Sequence, residues 1–425
     1  MQFPILALAL VLAVTNLSAQ AQGAGATPPL SLAEALRLAE AAHPAVRSRQ
    51  AQLAAAEGAR REATALFFNN PEISLQRTRR GAATPDGASA DWNSGVSQAI
   101  EIGGQQAHRR EATAAALEAL RAETEDAQRQ ARAEAALRFH VALAAQRRVR
   151  IEERSVELFE GTAQAVNKRR AAGEDTRLDA NVALVEAERA RNALSRAREQ
   201  AIAALGDLAA TLQLPPSALP ELAGDMGLPG TTVAPYGLEQ LLSSAQAAPR
   251  QRAVTAREAA ARARLATERA SRLPDLTLGL NVGREGPGDA RQRVTTFGVS
   301  MPLPLFKRND AAIGQALTEV NQAELDRATL GRDALAQVRQ LWSRLNSQTE
   351  RVQRLLRTVA PASTDNQQMA VKSRQAGQIG LLDQLIINRQ ALDAERDLND
   401  ALADYHATRI ELEHAAGWPQ TGLTQ

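Results

Sequence analysis

The sequence contains no cysteine. That excludes disulfides, thiolate metal sites, a cysteine nucleophile and an N-terminal lipid anchor on cysteine. Aromatic residues are scarce, at 3% of 425 residues, which is low for a chain that buries one compact globular core. Beyond the N-terminal run, no stretch is apolar enough for a membrane-spanning helix, so any membrane location has to rest on β-strands. An excess of one charge is also lacking. Lys and Arg number 50 against 48 Asp and Glu, a net +2. The basic residues are mixed with Glu, whereas a nucleic-acid footprint is clustered, so no nucleic-acid partner is expected. There is no Gly-x-Ser-x-Gly elbow, phosphate-binding loop or His-Glu-x-x-His, and no catalytic residue or cofactor is assigned. The five histidines are His43, His108, His140, His406 and His414. His406 and His414 stand about two helical turns apart, too far to share a metal. Glu411 and Glu413 beside His414 read as a solvated helix end, so no metal ligand is expected.

What is abundant is Ala, Leu, Glu, Arg and Gln, the composition of long helices and coiled coils. The chain also repeats itself once. Ala172-Gly173-Glu174-Asp175-Thr176-Arg177-Leu178-Asp179 is echoed by Ala376-Gly377-Gln378-Ile379-Gly380-Leu381-Leu382-Asp383, an offset of 204 (377 − 173). The same offset carries Leu208 onto Leu412 and Leu214-Pro215 onto Trp418-Pro419. That period is too long for a solenoid and marks a tandem duplication.

Residues 1–21 combine an apolar run, Phe3 to Val14, with the small-x-small site Ser18-Ala19-Gln20-Ala21. They read as a secretory signal peptide, although only the Met1 amine supplies positive charge ahead of the run. The first repeat is expected over 22–215, a linker over 216–235, the second repeat over 236–419 and a tail over 420–425.

Each repeat reads as short helix, longer helix, two strands, very long helix, long helix. Ser31 caps a helix through Ala42. Pro44 opens the next, to Phe68, before Asn69-Asn70-Pro71 breaks it. Leu238–Ala248, Pro249–Leu273 and the break at Pro274 are the counterparts. Strands follow at about 72–102 and 275–303, where the apolar period becomes two. Leu276, Leu278, Leu280 and Val282 alternate with Thr, Gly and Asn. Each strand is about ten residues long, enough to cross a bilayer at a tilt. Gly-, Pro- and Asp-rich hairpin loops are expected at Arg79–Ala90 and Arg284–Arg293. Gln105–Ala172 lacks proline, and at 1.5 Å per residue it reaches about 100 Å. Thr176–Leu212 is its partner. Asn309–Ala376 and Gly380–Ala416 complete the set, with a kink or local break expected at Pro361.

Alternation alone also fits a soluble sheet, and the helices alone fit a periplasmic coiled-coil structural protein. If the strands cross a membrane, four are too few to close a barrel, and open edges cannot face lipid. Several chains must then share one barrel.

These features resemble the TolC-like outer-membrane efflux proteins over nearly the whole chain. The two Gly-x-x-x-x-Leu-Asp segments are similar to the family's helix-turn-helix tips. Asn70-Pro71-Glu72-Ile73, Gln98-Ala99-Ile100-Glu101-Ile102-Gly103-Gly104-Gln105 and Met301-Pro302-Leu303-Pro304-Leu305-Phe306-Lys307-Arg308-Asn309 resemble its cobalt-zinc-cadmium branch. The resemblance implies a mainly α fold with a small β part. Long coiled-coil hairpins would form a periplasmic tunnel, and four transmembrane strands per chain would complete a twelve-stranded barrel in a homotrimer. It implies an outer membrane location in a Gram-negative bacterium, contact with outer-membrane lipid, and as partners a periplasmic adaptor and an inner-membrane pump of the resistance-nodulation-division (RND) class. The chain would be a passive, gated exit duct, with drug efflux or type I protein secretion as alternatives to heavy-metal export. The candidate pore constriction is Asp383, with Ile386 where family channels can carry a second acid. The candidate adaptor contacts are Glu174, Asp175, Thr176, Gln378, Ile379 and Gly380. Helix capping by Asp383 and plain turn chemistry at the tips explain the same residues.

Overall fold

A computed structural model describes residues 29–80, 89–215, 219–228, 236–286 and 291–419. The expected signal peptide and C-terminal tail lie outside the described residues, as do parts of the linker and both hairpin loops.

The element order is helix–helix–strand–strand–helix–helix, given twice. The first repeat comprises α1 (Leu32–Ala42), α2 (Pro44–Ala63), β1 (Glu72–Arg80), β2 (Ser89–Ile100), α3 (Gln105–Ala171) and α4 (Arg177–Thr211). The second comprises α5 (Leu238–Gln246), α6 (Pro249–Ala270), β3 (Leu276–Glu285), β4 (Gln292–Ser300), α7 (Asp310–Arg354), α8 (Ala360–Gln375) and α9 (Leu381–Ala415). Local chemistry sets the starts. Ser31 Oγ accepts from the Glu34 amide at 3.2 Å to cap α1, and Pro44 and Pro249 open α2 and α6, where a missing N–H costs nothing.

Both longer leading helices end earlier than the apolar pattern suggested, at Ala63 and Ala270 rather than Phe68 and Leu273. Thr64 closes α2 by donating its hydroxyl to the Arg61 carbonyl at 2.7 Å. Leu66, Phe67 and Phe68 beyond it are exposed, so their apolar character does not mark a helix face. α5 likewise stops at Gln246 instead of Ala248. The strands run further than expected into the loops, with Arg79, Ala90, Arg284 and Arg293 all paired.

Near Pro361 the helical axis is not broken. A π-helical turn, Leu355–Val359, joins α7 to α8, and the Ala360 amide donates to Leu355 O five residues back. Pro361 cannot donate to Arg357, and the wider turn takes up the missing bond.

The four strands form one antiparallel sheet in the order β1-β2-β3-β4, with β1 and β4 as its edges. Ile73, Val96, Leu280 and Phe297 lie in one cross-strand row. All four are exposed. The opposite face carries Gly95 opposite Ser74 and Asn281. A Cβ at Gly95 would meet the Asn281 side chain, which would have to move to admit it.

Among the described residues the helices bury four apolar clusters, the smallest joining α6 and α7 through Leu265, Ala316 and Val320. Alanines dominate where α3 meets its neighbours, with Ala131, Ala135, Ala136 and Ala142 buried beside Phe139. Small side chains let long backbones run close together without knobs of larger volume. A second cluster joins α3, α4 and α9 through Phe159, Val166, Ala183, Leu385 and Leu392. A third closes α5, α7 and the end of α9 around Tyr236, Leu241 and Val338. One link was not legible in the sequence: Leu30 and Leu222 form a parallel bridge that ties the start of the described chain to the segment between the repeats.

Candidate functional site

The two tips are built alike. α3 ends with Gly173 at φ 83°, where its amide donates to Arg170 O and the Glu174 amide to Arg169 O. α8 ends with Gly377 at φ 72°, its amide on Arg374 O and the Gln378 amide on Ser373 O. Both are Schellman motifs, which need a left-handed residue that glycine supplies without strain.

The returning helices are capped differently. Thr176 Oγ1 accepts from the Asp179 amide at 3.1 Å, and Asp179 Oδ2 accepts from the Thr176 amide at 3.0 Å. The Thr176 hydroxyl and amide, both donating to Asp179, hold its carboxyl below the usual range. At the second tip the box is half made. Asp383 Oδ2 accepts from the Gly380 amide at 3.1 Å, but Gly380 has no hydroxyl to return the bond. Asp383 therefore does cap α9. It also stays exposed, with Leu382 and Ile386, on one face of the helix.

The six tip candidates separate. Glu174, Thr176, Gln378 and Gly380 are exposed. Asp175 is not: its side chain is 5% exposed and sits between Arg374 Nη2 at 2.7 Å and Arg169 Nε at 3.3 Å. Arg374 also donates to Ile379 O at 3.4 Å, and Ile379 is half-buried. Asp175 thus stitches the tips to each other and offers no free carboxylate to a partner.

That stitch starts a ladder. Arg389 of α9 meets Glu186 of α4 at 2.5 Å, and Arg396 of α9 meets Glu152 of α3 at 2.6 Å. In these three pairs the carboxylate belongs to the first repeat and the guanidinium to the second, while Arg148 with Asp400 and Arg154 with Glu395 run the other way across α3 and α9. Burial alone would raise the Glu152 carboxyl, but hydrogen bonds from Arg396 and Arg148 outweigh it and hold it below the usual range. Glu186 follows the same balance, with Arg389 as the outweighing partner. The arginines of this ladder were not singled out from sequence. Their signal is weak, because charged helix faces look alike until the neighbouring helix is known.

Sheet and helices meet at a polar junction. Asn69 Nδ2 donates to Asp275 Oδ2 at 3.0 Å, and Gln105 Nε2 donates to Leu273 O at 2.7 Å. Higher up the helices His406 stacks on His140 with ring centroids 4.6 Å apart, and its Nε2 lies 2.9 Å from Gly227 O. Burial, with neighbouring His140, pushes His406 down to about 4. Among the described residues no group of three or more His, Asp or Glu could hold a metal ion, and no helix is long and apolar enough to cross a membrane.

The outer membrane efflux protein family model matches residues 241–418, most of the second repeat. The first repeat has the same order of helices and strands. The whole chain has the fold of solved outer-membrane efflux channels. Among solved efflux channels, the open state of the Neisseria gonorrhoeae MtrE outer membrane channel aligns with a TM-score of 0.76 at 20% identity, over 93% of this chain and 90% of that one. CusC, whose structures concern transmembrane channel formation, aligns with a TM-score of 0.75 at 17% identity, over 94% and 95%. In sequence, the cobalt-zinc-cadmium resistance protein CzcC of Cupriavidus metallidurans is 28% identical over 387 residues, which span 89% of this chain and 86% of CzcC. The resemblance read from the tips and the strand–helix motifs therefore holds. An outer-membrane efflux channel is a conduit and not an enzyme.

Proposed function

We propose that three copies of this chain form the outer-membrane exit duct of a tripartite RND-class system that exports heavy-metal cations. The observation that carries the metal assignment is the 28% identity to the cobalt-zinc-cadmium resistance protein across 89% of the chain. The trimer is supported by the open sheet. Its β1 and β4 edges are unpaired within the chain and its apolar face is exposed, which lipid tolerates only in a closed barrel. Three four-stranded sheets give twelve strands, and α3, at about 100 Å, gives the tunnel its length. Each chain would be exported by its signal peptide and organised as two repeats joined by a linker.

In this reading the tips face the periplasmic adaptor and the pump. Glu174, Thr176, Gln378 and Gly380 are the exposed contacts. Asp383 and Ile386 line the constriction, so that three Asp383 carboxylates form a ring that favours cations. The Asp175–Arg374 pair holds the tips together until the partners engage.

Deleting the gene should raise sensitivity to zinc, cobalt, cadmium or copper. Unchanged tolerance to all four removes the metal assignment and turns attention to drug efflux or protein secretion. In planar bilayers, Asp383→Asn should lower cation selectivity. A variant with unaltered selectivity sinks the acidic ring.

A further inference from the structure

The apolar face of the sheet ends, on the side of the two hairpin loops, in a row of a different kind. Arg77 pairs with Trp92, Trp92 with Arg284, and Arg284 with Arg293, so one residue from each strand stands in line across the sheet. By alternation all four share the face of Ile73, Val96, Leu280 and Phe297. All four are exposed. The Arg77 guanidinium lies over the Trp92 ring at 5.4 Å, a cation–π contact.

Two features of this row call for an anion. Arg284 and Arg293 are direct cross-strand partners, and like charges placed so are mutually destabilising. Among the described residues no Asp or Glu stands on this face of the sheet. Glu285 and Asp91 fall on the other face by alternation.

The position of the row identifies the anion. The helices leave the sheet from the opposite end, which fixes that end as periplasmic in the duct proposed above, and the inference rests on that reading. Eight residues separate Leu276 from Arg284 along β3, or about 27 Å of strand and roughly 20 Å of membrane depth at a 40° tilt. An apolar band of barrel height is thus capped by arginines at the outer leaflet. There the surface is a glycolipid carrying phosphates, and a guanidinium fork matches a phosphate in bidentate geometry. Trp92, amphipathic, belongs at the same interface.

We propose that Arg77, Arg284 and Arg293, braced by Trp92, form a belt that binds the phosphate groups of lipid A in the outer leaflet. Threefold symmetry places the row three times around the barrel.

The test uses the full-length trimer in neutral detergent, with diphosphorylated lipid A and the same lipid enzymatically dephosphorylated as probes. The wild type should bind the diphosphorylated form at least tenfold more tightly, with the preference shrinking as salt rises. Arg284→Gln/Arg293→Gln should lose that preference while binding of the dephosphorylated lipid stays the same. Should that variant fail to assemble, Arg284→Lys/Arg293→Lys should assemble and show a reduced preference, because the charge remains and the fork does not. Equal affinity of the wild type for both lipids, or a full preference in the Gln variant, overturns the belt. Insertion and conductance in phosphatidylcholine vesicles separate the two levels. A trimer that inserts and conducts without lipid preference loses only the belt, whereas one that never inserts loses the duct reading and the belt with it.

Discussion

Asp175 of the first tip accepts a 2.7 Å hydrogen bond from Arg374 of the second, a contact that spans 199 residues of chain. Both side chains are largely buried, at 5% and 14% exposure. Removing one partner from such a pair leaves the other charge uncompensated, a loss of about 3 kcal/mol when fully buried and less at a tip that water can reach. Asp175→Asn should therefore raise the open probability of the reconstituted channel at least tenfold. Single-channel recording checks this, with Glu174→Gln, whose carboxylate is exposed, as the variant that should leave opening unchanged.

The ladder along α9 predicts an acid sensitivity of defined sign. Glu152 and Glu186 titrate below their usual range in the fold. Their stabilisation is fully present above the unfolded value of about 4.5 and is lost as pH falls through the lowered folded values. Glu152→Gln should flatten the melting temperature against pH in that window while lowering it at neutral pH. A melting curve with the same acid slope in both proteins contradicts the ladder.

His406 and His414 act in an adjoining window. Burial pushes both down to about 4 from an ordinary 6.5. A base that stays neutral in the fold stabilises above 6.5 and loses ground as pH falls from 6.5 towards 4, on the order of 3 kcal/mol for His406 over that span. His406→Gln can still donate to Gly227 O and should remove much of the slope between pH 6.5 and 4. Denaturant midpoints taken every half pH unit decide it.

The duplication makes a backbone prediction. Gly417 closes α9 at φ 64°, and its counterpart 204 residues earlier, Gln213, closes α4 at φ 54°. A side chain in the left-handed region costs roughly 1 kcal/mol, so Gln213→Gly should raise stability by about that amount. The reverse change should not be tolerated, because a Cβ at Gly417 would meet Ala248 Cβ at 2.6 Å. Thermal melts of the two single variants should shift in opposite directions.

Periodicity explains how much of this was legible. Strands with one apolar parity and helices free of proline declared themselves, and Gly173 and Gly377 marked the tips. The left-handed Gln213 did not, since glutamine rarely adopts that conformation, whereas Asn309 is of a type that does. Leu66, Phe67 and Phe68 misled for the opposite reason: they continue a helical apolar pattern that Thr64 has already ended. At the tips, sequence put Asp175 among the candidate adaptor contacts through its place in the turn segment, with plain turn chemistry as the alternative. Only the approach of α8, folded in from the other repeat, supplies Arg374 and takes that carboxylate out of water.

The three pairs Asp175–Arg374, Glu186–Arg389 and Glu152–Arg396 have a consequence for symmetry. Shifted by 204 residues, Asp175 becomes Ile379 and Arg374 becomes Arg170; Glu186 becomes Gln390 and Arg389 becomes Val185; Glu152 becomes Leu356 and Arg396 becomes Asn192. No shifted pair keeps both charges. A trimeric tunnel would therefore have six boundaries between hairpins of only two kinds, alternating around the ring. Three lie within a chain and are riveted by arginine and carboxylate. Three lie between chains and do not carry those three pairs, so the two kinds of boundary cannot respond alike when the tips separate.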